Sequence, residues 1–186
     1  MSPRVPRPLV PRSNAAAVVK LCQSLAPRRL PLYLDWEPTR GALVSECFEN
    51  VARAVEAHGG NALDGWIIWE TLPGVMIEAE FHAVWEDELG AYHDITPKAL
   101  PGHDRVLFLP DDMRAYAGRQ VDNMRVALKD HPLVHRFIQA AEQDFNARNA
   151  GDLADHLGEA LPTPAMMAAE RGLAAAQERV MEKFYS

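Results

Sequence analysis

Three side chains of this 186-residue chain have the types and the order that nucleophilic acyl chemistry requires. Cys47 falls at or near the start of an expected helix, His82 stands 35 positions later on an expected strand, and Asp94 lies 12 further on, on the next strand. A thiol attacks a carbonyl as its thiolate. A helix N-terminus, an imidazole within hydrogen-bond reach and a carboxylate that orients the imidazole all favour that state. The first N–H groups of the Cys47 helix can also donate to the oxyanion of a tetrahedral intermediate. The chemistry such a set performs is acyl transfer. Each residue also has a plainer role open to it: Cys47 as a packed thiol beside Val51, Ala54 and Val55, His82 as a hydrogen-bonded residue of a sheet, and Asp94 as a turn or cap residue ahead of Thr96-Pro97.

A rival set shares one of these residues. Glu78, Glu80 and His82 project from one face of the same strand, and two carboxylates with an imidazole suit a divalent or non-haem ferrous ion. Residues two apart on a strand are about 7 Å from each other, so a single ion needs a bent strand and a further ligand such as His93 or Asp94. As cleft residues instead, Glu78 and Glu80 favour a cationic substrate, an amine or a basic peptide. Trp66, Trp69 and Trp85 suit a core or a cleft wall; in the second role Trp66 and Trp69 join the two glutamates as substrate-facing candidates. His131 and His135 have the i, i+4 spacing of half a metal site without the acid of a zinc-protease helix.

The elements that must position these groups are legible from periodicity. Val18, Leu21, Cys22 and Leu25 recur at helical spacing after Ser13-Asn14, which predicts a capped helix from Ala15 to about Leu25. Leu30 to Trp36 reads as a strand. Cys47, Val51, Ala54, Val55 and His58 then form one helical stripe, with Ser45 as N-cap and Gly59-Gly60 as terminator; a start near Thr39 is the alternative. From Asp64-Gly65, read as a turn, the period becomes two: Trp66 to Glu70, Val75 to Trp85 and Ala91 to Ile95 form an antiparallel meander, and Arg105 to Leu109 a fourth strand. Ile77, Ala79, Phe81, Ala83 and Trp85 face a core, while Glu78, Glu80, His82, Val84 and Glu86 face chemistry or solvent. Helices are expected over Asp112–Leu128, Pro132–Arg148 and Pro164–Phe184.

In this order, Cys47-Phe48 opening a helix, His82-Ala83-Val84-Trp85-Glu86 on a strand and Asp94-Ile95-Thr96-Pro97 after it, residues 40–97 resemble the transglutaminase-like core of the papain-like thiol enzymes. The resemblance implies an α+β fold, a helix packed on a short antiparallel sheet. It also implies Cys47 as nucleophile, His82 as general base and acid, Asp94 as orienting carboxylate, amide bonds as substrate, and no metal or other cofactor. The chain departs from the family at Ser45-Glu46, where a small residue such as Gly is common, and Glu46 and Glu49 add negative charge beside the thiol. The wider block from Gly65-Trp66 through Glu78 to His82 and on to Phe108-Leu109-Pro110-Asp111 is also similar to uncharacterised bacterial proteins, some with a Cys-rich zinc-chelating tail that is not found here.

Composition bounds the rest. Hydrophobic residues make up 48% and charged residues 24%, ordinary for a globular domain and unlike a collagenous, coiled-coil or disordered chain. Residues 1–12, with four prolines, read as a basic arm, 13–110 as the α+β core, and 111–186 as a C-terminal helical extension of the same domain, with an Ala-rich last helix suited to packing or to forming a homodimer. The first 34 residues hold six basic and no acidic side chains, and the remainder 13 basic against 26 acidic. An acidic body repels a polyphosphate backbone, so nucleic acid is not an expected partner. No apolar run suits a membrane span, the start has no apolar signal core, and two lone cysteines give no disulfide scaffold, so a cytoplasmic protein acting on a peptide, amide or amine is expected. The alternative from another class is an inactive member of the family serving as a binding or assembly module.

Overall fold

The computed structural model describes residues 6–98, 103–151, 153 and 161–186. These form an α+β protein. Its helices are α1 (Ala16–Leu25), α2 (Cys47–His58), α3 (Pro132–Arg148) and α4 (Pro164–Phe184). Its strands are β1 (Leu32–Asp35), β2 (Asn61–Leu72), β3 (Met76–Glu86), β4 (Tyr92–His93), β5 (Arg105–Pro110) and β6 (Met124–Ala127). The strand order is β1-β5-β2-β3-β4, with β6 added to β3. Two compact units are present. Among the described residues, one comprises those of 9–69 and 79–116; the other comprises those of 6–8, 70–78 and 117–186.

In the first unit β5 lies between β1 and β2. It pairs antiparallel with β1 (Leu34 opposite Val106) and with β2 (Ile67 opposite Phe108), and β4 pairs antiparallel with β3 (Trp85 opposite His93). A parallel bridge between Trp36 and Asp94 then ties the end of β1 to the residue after β4, so the row of strands curls back on itself. One buried cluster, Leu34, Ile67, Trp69, Val84, Val106 and Phe108, draws on four strands. A second, Cys47, Val51, Ala83 and Ile95, packs α2 on the sheet. Because Ala83 and Val84 are successive residues of β3, the clusters lie on opposite faces of the sheet. Of the two roles expected for the face carrying His82 and Val84, chemistry or solvent, contact with solvent does not hold at these two positions. Both residues are buried.

Asp64-Gly65 is not a turn but lies inside β2. A Cβ on Gly65 would stand 2.3 Å from the Leu109 carbonyl oxygen and 2.6 Å from the Phe108 ring, so only glycine permits the strands to approach this closely. Gly59 and Gly60 end α2 with φ of 73° and 81°, as their sequence predicts. At the other end of the helix the expected cap is replaced. Glu46 is the N-cap, and Ser45 holds a left-handed backbone with φ 62°.

In the second unit the tip of the β2–β3 hairpin supplies Leu72, Val75 and Met76 to a core completed by Val134 of α3 and by Val180 and Met181 of α4. The His131 side chain accepts from the Leu133 N–H at the start of α3, and Thr163 Oγ1 accepts from the Met166 N–H at the start of α4. Both helices match the predicted bounds. The helix expected over Asp112–Leu128 is absent. Asp111 Oδ1 accepts from the Met113 N–H, Asp64 Oδ2 accepts from the Tyr116 N–H at 2.7 Å, and Gly118 takes φ 76°. Local carboxylates thus capture N–H groups that a helix would need, and residues 124–127 gain sheet partners as β6. No helix among the described residues is long and apolar enough to cross a membrane.

Candidate active site

The loop before α2 is fixed by Asn50, one turn into the helix and buried. Asn50 Oδ1 accepts from the Leu43 N–H at 2.8 Å, and Asn50 Nδ2 donates to the Leu43 carbonyl at 2.8 Å and to Thr96 Oγ1 at 3.3 Å. The Ser45 N–H donates to the Pro97 carbonyl at 3.1 Å. These bonds stitch the two segments that carry Cys47 and Asp94 together. They also hold Ser45 in the backbone conformation from which the chain turns into the helix at Cys47. Beside the thiol, Phe48 stacks on Tyr116 with ring centroids 3.7 Å apart.

Asp94 is positioned by main chain and side chain together. The Glu37 N–H donates to its carbonyl, and Trp36 Nε1 donates to the Thr96 carbonyl at 2.9 Å. The Asp94 carboxylate has no exposed surface. Its Oδ1 lies 3.0 Å from His82 Nε2 and accepts from the Thr96 N–H at 3.4 Å, while Oδ2 accepts from Lys98 Nζ at 2.6 Å. A carboxylate only accepts, so the hydrogen of this pair sits on Nε2. The Cys47 thiol, at the head of α2, is the other side chain that acts on the same imidazole.

All three expected residues therefore converge: Cys47 is 6% exposed, His82 4% and Asp94 0%. Burial alone would lower the basicity of His82. The hydrogen bond and charge of Asp94, with those of Cys47, outweigh it and push the imidazole up to about 9 from an ordinary 6.5. Burial likewise works to raise the Asp94 carboxyl, but His82 and Lys98 hold it below the ordinary carboxylate value. Cys22, the other thiol, is different in kind. It packs in α1, and burial pushes it up to about 11. Asn50, Thr96 and Lys98 are members of the site that sequence reasoning misses. The only sequence signal for Asn50 is its place three residues after the cysteine on a buried stripe.

The remaining candidates do not join them. Trp66 is a core residue, 1% exposed, whose Nε1 donates to Asp111 Oδ2, and Trp69 belongs to the cluster around Ile67. Both rings are buried. Glu78 pairs with Arg125 at 2.8 Å, which also bonds Asp122, and accepts from Thr71 and Asn123; Glu80 is exposed. With His82 committed to Asp94, the ion-binding set Glu78, Glu80 and His82 does not assemble, and no three His, Cys, Asp or Glu among the described residues are grouped to hold a metal. His93 bonds Asp87 and Glu37, His131 caps α3, and His135 pairs with Asp130. No family model, curated protein or solved structure matches this chain.

Proposed function

We propose that the protein is a thiol enzyme that transfers acyl groups from amide bonds, built on a transglutaminase-like core. The reading rests on one observation: a buried imidazole held by Asp94 at 3.0 Å, whose basicity is raised also by the Cys47 thiol at the head of α2. Cys47 is the nucleophile. With the proton on His82, the thiolate attacks the amide carbonyl, forming the S–C bond and sending the carbonyl electron pair to oxygen. Collapse of this intermediate breaks the C–N bond as His82 delivers its proton to the leaving amine, giving a thioester on Cys47. The imidazole then takes a proton from the acceptor, water or an amine, which attacks the thioester and restores the thiolate–imidazolium pair. Asp94 keeps Nε2 protonated and the ring aligned throughout. The substrate is a peptide or a simpler amide, and the second-step acceptor decides between hydrolysis and transfer. Thiolate chemistry needs an unoxidised Cys47, so a reducing compartment such as the cytoplasm belongs to this reading.

The test is the pH dependence of iodoacetamide labelling in the native protein, resolved to Cys47 and Cys22 by peptide mass spectrometry. Cys47 is expected to label at neutral pH and Cys22 to resist until strongly alkaline pH. His82→Gln should slow Cys47 labelling at least tenfold, and Asp94→Asn should slow it less. If both thiols label only on unfolding and His82→Gln changes nothing, the enzyme reading fails and a binding module takes its place.

A further inference from the structure

The buried carboxylate of the triad has two cationic partners rather than one, and the second is unassigned. Lys98 Nζ lies 2.6 Å from Asp94 Oδ2, with its side chain mostly withdrawn from solvent and its ammonium 5.9 Å from the centre of the Trp36 ring. The opposite oxygen, Oδ1, meets the imidazole. Resting on the catalytic reading above, we propose that Lys98 is a positioning residue: it shares the Asp94 charge with His82, so that the imidazolium is held firmly enough to pair with the thiolate yet loosely enough to release its proton to the leaving amine.

Three observations carry this. First, an unshared buried carboxylate beside an imidazolium would hold that proton tightly, because both charges interact where water cannot screen them. A second cation at the far oxygen draws away part of the attraction. Second, thiolate, imidazolium, carboxylate and ammonium sum to zero, so the reactive state places no net charge in the interior. Third, Asp94 does not depend on Lys98 for its place. Its main chain is fixed by the bridge to Trp36 and the bond from Glu37, and Oδ1 is held by the Thr96 N–H. Removing the ammonium therefore alters charge before it alters geometry. The titratable groups acting on the imidazole are Cys47 from α2 and Asp94 from the segment after β4, with Lys98 acting through Asp94.

The experiment follows the His82 ring by NMR across a pH titration of the full chain, assigned by the signal lost in His82→Gln, in wild type, Lys98→Met and Lys98→Arg. The expected result is a rise of the His82 midpoint by about half a pH unit or more in Lys98→Met and no change in Lys98→Arg. With a chromogenic amide or ester, Lys98→Met should also carry the alkaline limb of kcat upward while leaving KM within about twofold. An unmoved or lowered midpoint in a folded Lys98→Met protein overturns the proposal. That outcome is separate from failure of the enzyme reading, which wild-type Cys47 labelling reports by itself.

Discussion

Ser45 sits with φ 62°, a conformation that costs a non-glycine residue on the order of 1 kcal/mol or more. It is one of the residues that turn the chain into Cys47, so its strain is kept where the thiol must be aimed. Ser45→Gly is expected to leave stability within about 1 kcal/mol of wild type, since eased strain offsets added unfolded-state freedom. Ser45→Val, β-branched in a left-handed backbone, should lose about 1–3 kcal/mol and slow Cys47 labelling. Urea unfolding with parallel labelling checks both. Asn50→Ala leaves the Leu43 N–H and carbonyl without their partner and should cost about 1–3 kcal/mol in the same assay. Protonation gives a third expectation at this scale. The His82 imidazole is raised to about 9, so it binds its proton more tightly folded than unfolded. The resulting stabilisation is complete below the ordinary value of 6.5 and is lost as pH climbs through 9. Unfolding free energy should therefore fall between those limits by an amount on the order of a few kcal/mol. His82→Gln should flatten the slope; an equally steep profile in that variant would assign it to other groups. Cys47, His82 and Asp94 are legible in the sequence because their chemistry and order announce them. Asn50 and Lys98 are not, because their partners are a loop backbone and a carboxylate whose neighbourhood only the fold creates.

Among the elements, those held by their own periodicity are legible in the sequence and those held by distant partners are not. The stripes of α3 and α4 fix both helices to the residue, and the capping groups His131 and Thr163 secure their first turns locally. Residues 112–128 contain good helix formers, yet Asp64 and Asp111 claim their N–H groups and Arg125 reaches Glu78, contacts invisible in a local window. Gly65 misleads in the opposite direction. Its place after Asp64 suggests a turn, but it is a strand glycine whose missing side chain makes room for Leu109 and Phe108. Gly65→Ala is thus expected to be among the most damaging conservative changes in the chain, lowering the thermal midpoint sharply or abolishing soluble expression. Circular dichroism melting against Gly74→Ala, whose added methyl meets nothing within 4 Å, separates crowding from the backbone cost of a positive φ.

At the level of the whole molecule, Cys47, His82 and Asp94 fall in one unit and the packing of α3 and α4 in the other. The hairpin of β2 and β3 runs through both: its base carries His82, and its tip contributes Leu72, Val75 and Met76 to the core with α3 and α4. Met181, almost fully buried there, should cost about 2–5 kcal/mol when cut back to alanine, as read by chemical unfolding. The charges of the composition appear in the folded protein as a set of local pairs, Arg29 with Asp112, Arg53 with Glu49 and Arg148 with Asp144, all at or near the surface and each worth little alone. The sparing exposure of Cys47 has a consequence of its own. A thiol that shows only 6% of its surface discriminates by the girth of what approaches it. Slender electrophiles such as iodoacetamide should outrun branched or aromatic ones by far more than their intrinsic reactivities allow. On the acyl-transfer reading proposed above, a substrate would likewise offer its carbonyl on a narrow, extended stretch of chain rather than on the face of a folded domain.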